Sequence, residues 1–317
     1  MSYLRLLLFC LLLSAACHDD PEAPRSPVIE VPAADRSALL TQVSRLAHDS
    51  MAGRGSATLD ERRAAQYIEQ QFAAFGLDGT SLMPFVLFSG SSATSQNVLG
   101  VLPGSGTLRD EWVVLGAHYD HVGKRLLPTG DSAIFNGADD NASGTAVVLE
   151  LARLLSDHVS DGGFGDGPRR SVLFIAFGAE ELGLIGSERF CAQPAIPLAS
   201  IVAMLNFDMV GRLRNNTLAV GGRATALEWP QLLTRHNTAG LLLSDDDCPA
   251  CTDHACFRRA GRPVLWFFTG LHDEYHQPSD DIELINQDGL GRIADLAARL
   301  TAELILREDR LQPLPLD

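Results

Sequence analysis

Two adjacent aspartates, Asp139 and Asp140, stand in the segment FNGADDNASG, directly before an apolar run at helical spacing. One acidic residue near the start of a helix is ordinary, because the helix dipole and the free backbone N–H groups favour negative charge there. A pair is harder to explain, since no basic residue stands near it in the sequence. The two aspartates therefore require a positive charge that comes from elsewhere in the fold.

Other acidic and histidine residues follow apolar segments that we expect to form strands. They are His118, Asp120 and His121 after WVVLGA, Glu180 and Glu181 after SVLFIAF, Asp208 after IVAMLN, and His272, Tyr275, His276 and Asp280 after PVLWFF. In open α/β sheets, ligands bind beyond the carboxyl ends of the strands. We therefore expect these side chains to meet at one edge of a sheet.

Carboxylates gathered at one edge repel one another unless a cation lies among them. Neither lysine nor arginine occurs in the motifs GAHYDH, NGADDNASG, GAEELGLIGS and NFDMVG. Two imidazoles with several carboxylates suit zinc, with manganese or cobalt as substitutes. One catalytic ion rarely takes so many protein ligands, whereas two ions that share a bridging carboxylate would use them all. The sequence therefore predicts a centre of two metal ions.

Short apolar segments alternate with segments of helical periodicity along most of the chain. The predicted strands are 97–102, 112–117, 171–177, 201–207, 217–220 and 263–268, and the predicted helices lie near 39–47, 60–75, 144–158, 224–239 and 286–306. Continuous apolarity in several strands indicates burial on both faces. The alternation predicts a single α/β domain with a mixed, mostly parallel β-sheet flanked by helices on both faces.

The composition is that of a globular protein with a large core, at 317 residues and 46% hydrophobic. A formal net charge of −15 and a sequence pI near 4.9 argue against a nucleic-acid-binding protein, because no basic patch is available to neutralise phosphates. No protein partner is predicted.

The first 17 residues have the pattern of an export signal, with Arg5, a short apolar core and small residues up to Cys17. Small residues directly before a cysteine are typical of bacterial lipoprotein signals. We therefore expect an exported protein, anchored through a lipid on Cys17 at the outer membrane or otherwise periplasmic. Ordinary signal cleavage followed by secretion is the alternative. Residues 18–36 are polar and proline-rich, which predicts a flexible tether before a catalytic domain at 37–317.

Four cysteines follow the signal: Cys191, Cys248, Cys251 and Cys256. The CPAC spacing of Cys248 and Cys251 is compatible with a redox motif, a zinc knuckle or a local disulfide. A zinc knuckle needs a second pair, which the sequence lacks. A local disulfide is favoured, and export would permit it.

The motifs AHYD, GADDNASG, AEELGLIGS, NFDMVG and YHQPSD occur in an order typical of the secreted di-zinc aminopeptidases. The chain resembles this family from about Gly53 to about Ile293. Its relatives include bacterial leucyl aminopeptidases, glutamate carboxypeptidase II and glutaminyl cyclases. The resemblance implies a zinc-exopeptidase fold of the phosphorylase/hydrolase-like type and two zinc ions per chain. It also implies hydrolysis of the N-terminal residue from peptides with a free N-terminus.

The resemblance further implies a role for each motif residue. His118 and Asp208 would hold one zinc, Glu181 and His276 would hold the other, and Asp139 would bridge both. The family's cis peptide bond after the bridging aspartate would fall between Asp139 and Asp140.

Glu180 would be the general base, and Asp120 would orient the ring of His118. Tyr275 would polarise the scissile carbonyl, with a packing role as the alternative. His121 and His272 fall outside the implied ligand set. The segment CPACTDHACF resembles one that lines the substrate side in some relatives and carries a small disulfide there.

Two other functions on the same scaffold stay open. One is a glutaminyl cyclase-like acyltransferase with one zinc. The other is a carboxypeptidase, for which Arg212, Arg214 and Arg223 are candidates to bind the substrate carboxylate. A non-catalytic binding protein is disfavoured because every implied ligand and the base are present.

Overall fold

The computed structural model describes residues 29–315, so the predicted signal segment and Cys17 lie outside the described residues. The strands are β1 (Asp78–Val86), β2 (Thr94–Leu102), β3 (Trp112–His118), β4 (Gly123–Leu126), β5 (Ser132–Phe135), β6 (Ser171–Phe177), β7 (Ile201–Phe207), β8 (Thr217–Gly221), β9 (Leu242–Ser244) and β10 (Val264–Phe268). The helices are α1 (Arg36–Leu46), α2 (Leu59–Ala74), α3 (Gly144–Ser160), α4 (Ile185–Ala192), α5 (Trp229–His236), α6 (His254–Arg259) and α7 (Gln287–Leu306).

Eight of the strands form one sheet in the order β1-β2-β6-β3-β7-β10-β8-β9. The four central strands β6, β3, β7 and β10 are mutually parallel. Strands β1 and β2 join antiparallel on one side, and β8 joins β10 antiparallel on the other. The predicted α/β class is confirmed, but the sheet is mixed rather than mostly parallel, because antiparallel strands flank the parallel centre on both sides.

The central strands are largely apolar because helices cover both faces. Every residue of β6 and of β7 is buried. One face packs on α1, α2, α3, α5 and α7 through a core that includes Phe72, Val147 and Trp229. The opposite face packs on α4 and α6, where Phe190 and Phe257 stack with ring centroids 5.7 Å apart.

Two disulfides support the second face and the loop beside it. Cys191 of α4 is bonded to Cys256 of α6, and Cys248 is bonded to Cys251. The local disulfide predicted from the CPAC spacing is therefore confirmed.

Several elements were not predicted from the sequence. Besides the short helices α4 and α6 and the edge strands β1 and β9, these include a hairpin of β4 and β5 between His121 and Asn136. None of the helices within residues 29–315 combines the length and the apolarity that a membrane crossing would need.

Candidate metal centre

The predicted site residues lie at the carboxyl ends of the four parallel strands. β3 ends at His118, β6 is followed by a turn that carries Glu180 and Glu181, β7 is followed by Asp208, and β10 leads into the loop with His276. Because these strands are parallel neighbours, their carboxyl ends meet at one edge of the sheet.

The backbone at these strand ends is locally strained. Ala179, just before Glu180, has a φ of 55°, Met209, just after Asp208, has a φ of 52°, and His276 itself has a φ of 54°. Positive φ costs a residue with a Cβ roughly 1 kcal/mol or more, and such residues concentrate at functional sites. The strain turns the side chains of Glu180, Asp208 and His276 towards a common centre.

Three of the predicted residues form a first donor group: His118, Glu180 and Asp208. Nε2 of His118 lies 3.3 Å from Oδ1 of Asp208 and 3.9 Å from Oε2 of Glu180. The ring of His118 is buried, while the two carboxylates are partly open to the cavity described below.

A second donor group consists of His121, Asp140, Glu181 and His276. Nε2 of His276 lies 3.1 Å from Oδ2 of Asp140 and 3.1 Å from Oε2 of Glu181. Nδ1 of His121 lies 2.8 Å from the other oxygen of Glu181. In each of the two groups the potential ligand atoms lie within 4.8 Å of one another.

Asp140 lies between the two groups. Its Oδ1 is 3.4 Å from Nε2 of His118 in the first group, and its Oδ2 is 3.1 Å from Nε2 of His276 in the second. The prediction that Asp139 occupies this position is wrong by one residue. Accordingly, the cis peptide bond joins Asp140 to Asn141 rather than Asp139 to Asp140.

Asp139 points away from the donor groups into the protein. Its Oδ1 accepts hydrogen bonds from the backbone N–H of Gly211 at 2.6 Å and from Ser143 at 3.1 Å. Its Oδ2 lies 3.1 Å from Nε2 of His272. Through Gly211 and His272 this fully buried carboxylate contacts the loop after β7 and the loop after β10, so it ties these two loops to the Asp140 turn.

Asp280 holds the peptide groups on either side of Asp139. Its carboxylate accepts the backbone N–H of Asp139 at 3.0 Å and that of Asp140 at 3.0 Å. It is fully buried. These bonds fix the turn 138–143 so that the side chain of Asp140, and not that of its neighbour, faces the two histidines.

Asp120 positions the turn with the two glutamates. Its Oδ1 accepts the backbone N–H of Glu180 at 3.0 Å, and its Oδ2 accepts the N–H of Glu181 at 3.3 Å and the hydroxyl of Ser56 at 2.6 Å. Nδ1 of His118 lies 3.2 Å from the main-chain oxygen of Asp120 and 3.8 Å from Oδ1. The ring of His118 is thus oriented mainly by the main chain of Asp120, while the carboxylate holds Glu180 and Glu181.

Besides Asp140, His121 is a member of the donor groups that the sequence interpretation left out. It is buried and contacts Glu181 and Asp140. Its place in the HYDH motif, three residues after His118, was the available signal. His272, also outside the implied ligands, instead pairs with Asp139 and Glu274.

At this site the pKa values of His118, His276 and Glu180 are shifted by burial and by neighbouring charges. Burial lowers the pKa of His118, but the carboxylates of Glu180 and Asp208 outweigh burial and raise it well above its usual range. Burial also lowers the pKa of His276, yet Asp140 and Glu181 raise it to about 9. For Glu180, burial raises the pKa well above its usual range. Protons and metal ions compete for such ring nitrogens, so these atoms are also where a cation would be held.

The donor atoms fit zinc. Among residues 29–315, Nε2 of His276 faces two carboxylates at 3.1 Å and yet has no partner in hydrogen-bonding geometry. A buried ring nitrogen in that position has the arrangement of a metal ligand, and imidazole with carboxylate is a zinc donor set. No lysine or arginine within the described chain forms an ion pair with Asp140, Glu180, Glu181 or Asp208, as the salt bridges there all involve histidines.

A cavity of about 290 Å³ opens onto both donor groups. The rest of its lining is mostly apolar and consists of Met209, Trp266, Phe268, Leu271, Tyr275, the Cys248–Cys251 disulfide and one carboxylate, Asp246. The ring of Tyr275 stacks on that of His276 with centroids 3.9 Å apart. The cavity thus joins an acidic, histidine-lined end to an apolar, aromatic end.

Comparisons with curated proteins and with solved structures both find aminopeptidases among the similar proteins. Aminopeptidase YwaD of Bacillus subtilis (strain 168) is 31% identical over 234 residues, which cover 69% of this chain and 47% of that protein. Leupeptin-inactivating enzyme 1 of Streptomyces exfoliatus is 28% identical over 300 residues, which cover 87% of this chain and 62% of that protein. The chain therefore spans about half to three-fifths of the length of these relatives.

Two solved structures share the fold. BSAP, a zinc aminopeptidase from Bacillus subtilis, superposes with a TM-score of 0.71 at 19% identity, covering 89% of this chain and 98% of that chain. Glutaminyl cyclase of Porphyromonas gingivalis gives a TM-score of 0.70 at 19% identity over 85% of this chain and 98% of that chain. The model of Peptidase family M28 matches residues 97–301, a range that contains every residue of both donor groups. The chain belongs to peptidase family M28.

Proposed function

We propose that this chain is a di-zinc aminopeptidase that removes the N-terminal residue from peptides with a free N-terminus. The observation that carries the proposal is Asp140, whose two oxygens reach towards His118 on one side and His276 on the other. A single carboxylate between two donor groups is what a pair of ions with a bridging ligand requires. Support comes also from the relatives, which are named as an aminopeptidase and a leupeptin-inactivating enzyme, and from a neighbour described as a zinc aminopeptidase.

In this proposal His118 and Asp208 would hold one ion, Glu181 and His276 would hold the other, and Asp140 would be a ligand to both. His121 holds Glu181 in place through its 2.8 Å contact. When bound, the two zinc ions would polarise the scissile carbonyl and would lower the pKa of the attacking water molecule.

Glu180 is the group best placed to accept the proton of the attacking water. It lines the cavity, belongs to the turn held by Asp120, and lies next in sequence to Glu181. The same carboxyl group can then pass the proton to the departing amine, as one residue serves both directions of proton transfer. Tyr275 lines the cavity beside His276, where its hydroxyl can polarise the scissile carbonyl.

The free amine of the substrate favours an acidic site. The carboxylates of Glu180, Asp208 and Asp140 lie at the polar end of the cavity, and the apolar wall beyond them can accept the first side chain. Of the arginines considered for a carboxypeptidase, Arg212 is paired with Glu274, and Arg214 and Arg223 donate to main-chain oxygens. These contacts favour the aminopeptidase over the carboxypeptidase.

The test pairs the Glu180→Ala variant with Glu188→Ala, an exposed glutamate whose partner is Arg259. Loss of a general base costs about 10²–10⁴ in rate. We expect that loss for Glu180→Ala with zinc retained near two per chain, and no comparable loss for the control. Loss of zinc together with activity would make Glu180 a ligand, in keeping with its position beside His118.

The requirement for a free amine has its own test. Aminoacyl p-nitroanilides should be cleaved, their N-acetylated forms should not, and a chelator should abolish the activity. Efficient cleavage of N-acetyl substrates, or a strict need for a free C-terminal carboxylate, would exclude an aminopeptidase. Formation of pyroglutamyl peptides from N-terminal glutamine would indicate the glutaminyl cyclase alternative.

We also propose that the protein is exported and anchored through a lipid on Cys17. The motivating feature is the run of small residues before Cys17, followed by a polar, proline-rich segment that can hold the catalytic domain away from a membrane. The wild-type chain, expressed in a bacterial host, should fractionate with membranes, and a Cys17→Ser variant should not be lipidated. Recovery of the wild type in the periplasm or medium with an N-terminus beyond Cys17 would favour secretion.

A further inference from the structure

A second cavity of about 250 Å³ lies on the other side of the second donor group. Glu181 lines both this cavity and the one described above, and His121 forms part of the new cavity's wall. The remaining wall comes from the segment Gly55–Thr58 on one side and from the β4–β5 hairpin, at Gly123–Arg125, on the other. The two cavities therefore lie next to each other at Glu181.

The hairpin wall is fixed in place at its base. Gly123 has a φ of 80°, and a Cβ built on it would lie 3.0 Å from the Cα of Gly55. Gly55 also forms a bridge with His121. The close backbone approach holds β4 against the segment that faces it, so the two basic residues that follow Gly123 have a defined place beside the site.

Those two residues are Lys124 and Arg125, and both line the second cavity. Lys124 is the one lysine among the 317 residues of the sequence. Within residues 29–315 neither residue has a carboxylate partner, and Arg125 only lies over the ring of Phe135 at 5.9 Å. Asp60, which also lines the cavity, is paired with Arg63. Both side chains are exposed, so in a chain with 40 acidic and 25 basic residues they present two adjacent positive charges that an anion can approach.

We propose that the second cavity binds a carboxylate carried by the part of the peptide that leaves, with Lys124 and Arg125 as its partners. The proposal rests on the proposed aminopeptidase function. The carboxylate can be the C-terminus of a dipeptide or an acidic side chain in the second residue, since both present the same group to the cavity.

Electrostatics explains why such a site is useful. The donor groups gather four carboxylates, and even with ions bound the chain around them is strongly acidic. An acidic leaving portion would be repelled from this environment, and two cations at the entrance offset the repulsion. Exposed ion pairs contribute up to about 1 kcal/mol each, so we expect an effect of about fivefold per pair on kcat/KM.

The experiment compares four substrates: Leu-Ala, Leu-Ala amide, Leu-Glu amide and Leu-Gln amide. The wild-type enzyme should prefer Leu-Ala over its amide by about fivefold or more at low salt, and the preference should shrink as added salt screens the charges. The Lys124→Gln/Arg125→Gln double variant should lose the preference. Leu-Glu amide distinguishes the two sources, because a preference for it over Leu-Gln amide assigns the cavity to the acidic side chain.

Arg109→Gln is the matched control. Arg109 is exposed and precedes β3, at the opposite end of that strand from His118. The control should keep the acid-over-amide ratio of the wild type. The proposal would be overturned if the wild type preferred neither Leu-Ala over its amide nor Leu-Glu amide over Leu-Gln amide. It would also be overturned if the double variant kept the preference that the wild type shows.

A second measurement does not depend on turnover. Because Lys124 is the one lysine, an amine-acetylating reagent modifies a single side-chain amine, which peptide mass spectrometry locates. In the Glu180→Ala variant, Leu-Ala should slow acetylation of Lys124, and Leu-Ala amide should slow it less. Equal rates with both ligands would refute carboxylate binding. Failure of the wild type to cleave leucine p-nitroanilide would refute the aminopeptidase function instead, and the protection result would still stand for the cavity.

Discussion

Replacing Asp120 with asparagine tests how the turn with Glu180 and Glu181 is positioned. The carboxylate accepts three hydrogen bonds, from Ser56, Glu180 N–H and Glu181 N–H, at 2.6, 3.0 and 3.3 Å. An asparagine keeps one acceptor oxygen. Its best orientation keeps the bond to Glu180 N–H and turns the amide nitrogen towards Ser56, whose hydroxyl can accept. The N–H of Glu181 is then left facing another donor.

A buried donor left without a partner costs about 1–3 kcal/mol, and the loss of the negative charge adds to that cost. We therefore expect Asp120→Asn to lower the free energy of unfolding by about 2–4 kcal/mol. Displacement of Glu181 should also lower zinc occupancy and reduce kcat by about 10²-fold, since shifts near 1 Å have effects of that size.

The assays are urea unfolding, zinc content and kcat on an aminoacyl p-nitroanilide. Ser56→Ala is the matched control, because it removes one of the three bonds and leaves both backbone N–H groups satisfied. Its effect on zinc and kcat should be small. Equal losses in Ser56→Ala and Asp120→Asn, or wild-type zinc and kcat in Asp120→Asn, would refute the positioning role.

Two further predictions concern residues on either side of the centre. Burial raises the pKa of Glu61 to about 8 from an ordinary value of 4.5, so its contribution to stability is complete below about pH 4.5 and is lost as the pH rises through about 8. The free energy of unfolding of the wild type, measured with urea in the presence of a chelator, should fall by about 1.4 kcal/mol per pH unit between these values. Glu61→Gln should remove this fall, and Glu69→Gln is the control on the same helix. An unchanged slope in Glu61→Gln would contradict the argument. Tyr275→Phe keeps the ring that stacks on His276 at 3.9 Å and removes only the hydroxyl, so a fall in kcat of about 10-fold or more with KM little changed would assign the hydroxyl to the scissile carbonyl. If Tyr275→Phe has the kcat of the wild type, Tyr275 has only a packing role.

The central strands could be predicted because their environment is uniform. SVLFIAF and IVAMLNF form β6 and β7 at the predicted bounds, since helices cover both faces and every position is buried. The β4–β5 hairpin could not be predicted in the same way. Its strands, GKRL and SAIF, are short and mostly exposed, and their position depends on the contact of Gly123 with Gly55, far away in sequence.

The site residues, too, could be predicted from the sequence only in part. The motifs bring His118, Glu180, Glu181, Asp208 and His276 together as predicted. Each of them ends a parallel strand or lies in the loop that follows one. The choice between Asp139 and Asp140 could not be made from two identical neighbours. It is decided by Asp280, which holds both N–H groups, and by Gly211 and His272, which occupy the carboxylate of Asp139.

Zinc content of Asp140→Asn and Asp139→Asn, measured after dialysis against metal-free buffer, tests the central claim most directly. Thermal melts confirm that each variant is folded before the comparison. If Asp140 touches both ions, Asp140→Asn should fall well below the two zinc ions per chain expected of the wild type, and Asp139→Asn should retain more zinc than Asp140→Asn. Full zinc content in Asp140→Asn, with loss confined to Asp139→Asn, would contradict the placement of Asp140 between the two donor groups.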